Sequence, residues 1–152
     1  SERLPQYRPS ALRAKSYQGR GRTYFVDCYN ANPSSMRDSL EYFRRTYRDN
    51  PKLYVLGGME ELGEKEEELH QDLGAQIQLE ENDLVVLVGE KASWLGEGIL
   101  ASGGREDQVL ALNQGNEANS IIEDFKGAVF FKGSRSLKLE SLVPEWAVEK
   151  IN

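Results

Sequence analysis

The sequence contains one cysteine, Cys28, and one histidine, His70. A single thiol closes no internal disulfide and suits a reducing compartment, so a cytoplasmic location is expected. No cysteine or second histidine stands at metal-ligand spacing from His70, and no metal site is expected. Long hydrophobic runs are also missing. The longest, Leu84 to Val88, is far below the ~20 residues of a membrane span. No charged-then-apolar signal segment opens the chain. Basic charge is scarce as well: 19 Lys and Arg stand against 25 Asp and Glu, a net charge of −6. Such a chain is a poor nucleic-acid or anionic-membrane binder. The one basic cluster, Arg20-Gly21-Arg22 with Arg13 and Lys15 upstream, is too short to reverse that. Finally, no Gly-Lys-Ser/Thr phosphate loop occurs, so the chain does not hold ATP phosphates by itself.

What remains is an ordinary globular composition, 39% hydrophobic over 152 residues, which fits one domain over 1–152. Five β-rich runs follow one another from Tyr24: Tyr24–Val26, Leu53–Leu56, Leu84–Val88, Val109–Leu112 and Ala128–Phe131. Each is nearly continuous in apolar character, as strands are when helices cover both faces of a parallel sheet. Helix-period stripes lie between them. Met36, Leu40, Phe43 and Tyr47 share one face, as do Leu69, Leu73 and Ile77, then Leu95, Ile99 and Leu100, then Ile121, Ile122 and Phe125. A further helix is expected from near Ser136, carrying Leu139, Leu142 and Val143 up to Pro144, with Trp146 and Val148 packing a terminal turn. Residues 12–26 read as a hairpin that adds an antiparallel strand at one edge. The expected class is α/β, a Rossmann-like, mostly parallel sheet of about six strands flanked by helices.

In such sheets ligands gather beyond the carboxyl ends of the strands. The first strand is followed by Asp27-Cys28-Tyr29-Asn30-Ala31-Asn32-Pro33-Ser34-Ser35-Met36. Asp27 can accept from a pair of ribose hydroxyls, or it can simply tie down its loop. Asn32 before Pro33 is a helix start, and capping alone accounts for it. The Gly57-Gly58-Met59-Glu60-Glu61 segment after the second strand allows close backbone approach, but its carboxylates argue against phosphate cradling. His70, beside the Leu69 stripe, reads as a half-buried helix histidine, and Cys28 as an inert thiol. After the fifth strand, Lys132-Gly133-Ser134-Arg135-Ser136 places cations and hydroxyls at an expected helix start, which suits a carboxylate or a phosphate. Ser136 as a plain helix cap is the alternative.

Three segments together carry a family resemblance. Residues 27–36 resemble the D-x-Y-N-A-N-P-x-S-M segment of MurF-type Mur ligases. Val55-Leu56-Gly57-Gly58-Met59-Glu60-Glu61-Leu62-Gly63, with His70 and Gly74 downstream, resembles their V-L-G-D-M-x-E-L-G … H … G. Lys132-Gly133-Ser134-Arg135-Ser136, with Glu140, is similar to their K-G-S-R-S … E. The three occur in the family's order and in post-strand loops. The resemblance implies the C-terminal domain of an ATP-dependent, ADP-forming ligase that adds D-Ala-D-Ala to UDP-MurNAc-tripeptide in peptidoglycan precursor synthesis. Such an enzyme has an N-terminal domain for the UDP-substrate and a central domain with the phosphate loop, the magnesium ligands and a carbamylated lysine. Neither fits in this sequence, so the isolated domain is expected to be inactive and to hold no catalytic residue of its own.

Carried over by residue, the resemblance implies that Asp27 binds the ATP ribose and that Tyr29 and Asn30 line the nucleotide, with Arg13 reaching toward it. Lys132, Ser134 and Arg135 would line the amino-substrate side, where a D-Ala-D-Ala carboxylate could sit. Three departures stand out. Gly58 occupies the position of the family's usual Asp, and Cys28 that of a common Ser. Arg48-Asp49-Asn50-Pro51 resembles the D-N-P-R of diaminopimelate- or lysine-adding relatives, but no Arg follows Pro51, so it reads as a turn. The alternatives are a folylpolyglutamate- or cyanophycin-synthase-like ligase domain and a free-standing α/β binding module.

Overall fold

The computed structural model describes residues 14–27 and 31–151 of the chain. Its sheet comprises β1 (Lys15–Gly19), β2 (Arg22–Val26), β3 (Lys52–Gly57), β4 (Leu84–Val88), β5 (Val109–Leu112), β6 (Ala128–Lys132) and β7 (Val148–Glu149). Among the described residues the α-helices are α1 (Pro33–Thr46), α2 (Glu66–Ala75), α3 (Ala92–Ala101) and α4 (Asn119–Asp124). The strand order is β5-β4-β3-β6-β2-β1-β7. From β2 through β6, β3 and β4 to β5 the strands run parallel, and β1 is antiparallel to both its neighbours. The α/β class and the edge hairpin are as the sequence suggests. The seventh strand is the addition: Val148 and Glu149 pair with Gln18 and Tyr17, outside the hairpin. Trp146 therefore packs edge-on against Tyr24 instead of closing a terminal turn.

Strand side chains alternate between two apolar layers. Tyr54 and Leu56 join Phe130, Met36, Phe43 and Leu95 on one face. Leu53 and Val55 join Val129, Phe131, Ile122 and Leu142 on the other. Because both faces are covered, the runs read as continuous rather than alternating. The edge strand β5 is the exception, with Leu110 44% exposed.

Helix α1 starts where Asn32-Pro33 indicates. Asn32 Oδ1 accepts from the Ser35 N–H at 2.9 Å, and Ser35 Oγ accepts from the Asn32 N–H at 3.1 Å, a reciprocal cap. Helices α2 and α3 cross at glycines. A Cβ on Gly74 would lie 2.1 Å from the Leu95 carbonyl oxygen, and one on Gly98 would lie 2.1 Å from that of Gln71. The backbones touch there, and no side chain fits between them.

The helix expected from Ser136 does not form. Two 3-10 turns, Arg135–Leu137 and Leu139–Leu142, flank Lys138, whose φ of +51° is left-handed. Left-handed Lys138 interrupts the segment and Pro144 holds Val143 in an extended backbone, so no α-helix propagates between them. The Arg48–Pro51 segment is a turn, as expected, with the Asn50 N–H on the Tyr47 carbonyl at 2.9 Å. It leads into Lys52, a buried residue whose ammonium lies 3.7 Å from Asp83 at the amino ends of β3 and β4. That is the opposite end of the sheet from the site described next.

Candidate functional site at the carboxyl edge of the sheet

The strand order places the end of β6 between the ends of β2 and β3, so residues far apart in sequence meet there. Asp27 follows β2 and Lys132 ends β6. Both side chains are fully buried, and Lys132 Nζ lies 2.9 Å from Asp27 Oδ2. The same ammonium donates to the Asp27 carbonyl oxygen at 3.4 Å. Ser39, from the inward face of α1, donates its hydroxyl to Asp27 Oδ2 as well. The other carboxylate oxygen, Oδ1, is buried and has no hydrogen-bond partner among the described residues. One oxygen of Asp27 is thus anchored twice, while the second retains its acceptor capacity.

The loop after β6 rests on the loop after β3. The Ser134 N–H donates to the Gly58 carbonyl at 3.0 Å. A Cβ on Gly133 would lie 2.8 Å from Gly57 Cα, so only a glycine permits this approach. Ser134 is nearly buried, and its hydroxyl shares a 2.8 Å hydrogen bond with that of Ser136. Arg135 and Ser136 are exposed on the turn above. Ser136 is therefore tied to Ser134 rather than capping an α-helix. Asp27, Lys132, Ser134 and Arg135 all gather at this edge; Lys132 differs from the other cation in being sealed in a buried ion pair. Arg13, Tyr29 and Asn30 lie outside the described residues, as does Cys28.

The loop after β3 is itself held from below. His70 is fully buried on α2, beneath that loop. Its Nε2 accepts from the Met59 N–H at 2.9 Å, and its Nδ1 lies 2.6 Å from the Glu66 carbonyl. A backbone carbonyl can only accept, so Nδ1 carries the proton and the ring is neutral. Burial holds its pKa below the ordinary 6.5, opposed by the Glu66 carbonyl and carboxylate. Lys91 bridges Glu66 at 3.1 Å and Glu60 at 3.2 Å, and these two partners raise its pKa. A Cβ at position 58 would meet Lys91 Cβ at 2.7 Å, so a larger residue there requires Lys91 to shift.

Two residues in this assembly escape a reading of the sequence. Ser39 is polar on an otherwise apolar helix stripe, three residues after Met36, and that mismatch is the available signal. His70 reads in the sequence as a half-buried helix residue; it is fully buried, and its hold on Met59 depends on tertiary structure. A separate cleft of about 290 Å³ lies between α1 and the end of α2, lined by Arg37, Arg44, Tyr54 and Gln76 among others. None of the candidate binding residues named from the sequence lines it. Among the described residues, no group of three or more His, Cys, Asp or Glu is placed to hold a metal ion. No described helix is long and apolar enough to cross a membrane.

Residues 13–135 match the family model for the Mur ligase, glutamate ligase domain. The chain belongs to that family. Within it, the likeness of this Mur ligase domain is to the MurF type. It is 31% identical over 128 residues to the UDP-N-acetylmuramoyl-tripeptide--D-alanyl-D-alanine ligase of Bacillus subtilis, covering 82% of this chain and 28% of that protein. It superposes on the MurF ligase of Thermotoga maritima in complex with ADP with a TM-score of 0.67 and 26% identity, covering 84% of this chain and 28% of the other. A crystal structure of MurF from Acinetobacter baumannii gives 0.69 and 30%, covering 91% and 31%. The chain therefore spans less than a third of the length of these relatives. The family match includes Asp27, Lys132, Ser134 and Arg135, so the edge assembled by the sheet lies within the Mur ligase domain.

Proposed function

We propose that this domain closes over the nucleotide and receives the amino substrate in a MurF-type ligase, one that joins D-Ala-D-Ala to UDP-MurNAc-tripeptide with ATP. The observation that carries this reading is the convergence of three motif-bearing loops at one sheet edge in a Mur ligase domain. ATP supplies the phosphoryl group that activates the tripeptide carboxylate; magnesium and the phosphate loop belong to a central domain, and the UDP-substrate to an N-terminal one. The working place is the bacterial cytoplasm, and the domain alone turns over no substrate.

Within this reading the residues divide their labour. Asp27 supplies the acceptor for the ribose hydroxyls through Oδ1, which has no partner among the described residues, with Arg13, Tyr29 and Asn30 completing the nucleotide side. Ser134 and Arg135 face the amino substrate, and a guanidinium with a hydroxyl suits the terminal carboxylate of a dipeptide. Lys132 belongs to the same loop and acts from beneath it, by fixing Asp27. In the intact ligase, Asp27→Ala is expected to raise the KM for ATP, with the folded state checked in parallel. An unchanged ATP dependence in a folded variant rejects the ribose role.

A further inference from the structure

We propose that His70 is a positioning residue that sets the height of the loop after β6, acting through the backbone of the loop after β3. The connection is continuous. His70 Nε2 accepts from the Met59 N–H at 2.9 Å. In the same peptide unit, the Gly58 carbonyl accepts from the Ser134 N–H at 3.0 Å. The peptide plane joining Gly58 to Met59 therefore carries both hydrogen bonds, one on its nitrogen and one on its oxygen. Because that plane is rigid, a tilt that breaks one bond misaligns the other. Leu137 closes the contact from above, in the space that a Cβ on Gly57 would fill.

The ring is fixed in the tautomer that this task requires. The Glu66 carbonyl holds Nδ1 as the donor, which leaves Nε2 with its lone pair toward Met59. Protonation would put two N–H groups face to face. The groups that face the ring are Glu66 on its own helix, Glu60 from the loop after β3, and Lys91 from the start of α3. Trp94 of α3 covers it, with ring centroids 5.4 Å apart. Burial outweighs the two carboxylates and keeps the imidazole neutral at pH 7.

The test is amide hydrogen exchange by NMR on the 152-residue protein, comparing wild type, His70→Leu and His70→Gln. In H70L, which lacks any acceptor, the Met59 and Ser134 amides should lose protection together, by about tenfold or more. Gly89, whose N–H bonds to Leu112 at the same sheet edge, is the control and should keep its protection. H70Q, which restores an acceptor oxygen, should recover most of the loss. In wild type, lowering the pH from 6.5 should release Met59 and Ser134 before Gly89, an arm that needs no variant to fold. Loss at Met59 with Ser134 unchanged overturns the linkage, as does an equal loss at Gly89.

The consequence for substrate rests on the function proposed above and is read separately. In the intact ligase, H70L should raise the KM for D-Ala-D-Ala more than that for ATP, with recovery in H70Q. If exchange couples Met59 to Ser134 but the dipeptide KM does not move, the positioning stands and the amino-substrate reading of the loop fails.

Discussion

Asp27 and Lys132 are removed from water together, and neither charge is tolerable there without the other. Lys132→Met should destabilise the domain by roughly 3–5 kcal/mol, because it strands a buried carboxylate. The Asp27→Asn, Lys132→Met double variant should be more stable than Lys132→Met alone; urea denaturation of the set measures this. His70 gives a pH dependence with a definite sign. Its folded pKa lies below 6.5, so the unfolded chain takes up the proton first as pH falls. The stability it contributes is present above about pH 6.5 and is lost as pH descends toward the folded pKa. Urea midpoints for wild type should fall over that interval, and those for His70→Gln should fall less. Asp27 and Lys132 stand out in the sequence as separate candidates, one for ribose and one for substrate. Their pairing is not legible, because it depends on β6 lying beside β2, a crossover that no local pattern encodes.

Among the elements, α1 was the most legible. Its cap, proline and apolar stripe all agree, and Asn32→Ala should cost about 1 kcal/mol of stability through loss of the reciprocal cap. The crossing of α2 and α3 makes a stronger demand. Gly74→Ala and Gly98→Ala each push a methyl group into a backbone carbonyl, so each should cost about 1–3 kcal/mol or more in thermal or chemical denaturation. A glycine within a helical stripe marks such a contact only weakly, since the facing helix is unknown from sequence. The segment after β6 misled for a different reason. Leu139 and Leu142 are spaced as on a helix, yet both are buried from 3-10 turns around left-handed Lys138. Burial fixed their spacing; the nearby proline decided the backbone. β7 was equally hidden, being too short to carry a strand pattern of its own.

For the whole molecule, a net charge of −6 conceals where the relevant charge sits. Of the cations at the carboxyl edge, Lys132 is buried in its ion pair, while Arg135 is exposed on the turn that Ser134 anchors to Gly58. The division follows from the fold: β6 carries its last residue into the core, and the glycine after it lets the next residues climb over β3. The α/β class and the edge where the motif-bearing loops meet could be read in advance, because strand alternation and topology rules fix both. Which side chains at that edge face outward could not, because depth is set by packing. On the function proposed above, closure onto a nucleotide-bearing neighbour would bring the exposed Arg135 to the amino substrate. The most direct test is the kinetics of Arg135→Ala in the intact ligase. A KM for D-Ala-D-Ala raised about tenfold or more, with the KM for ATP within about twofold of wild type, is the predicted result. A KM for ATP that rises more than that for the dipeptide would contradict it.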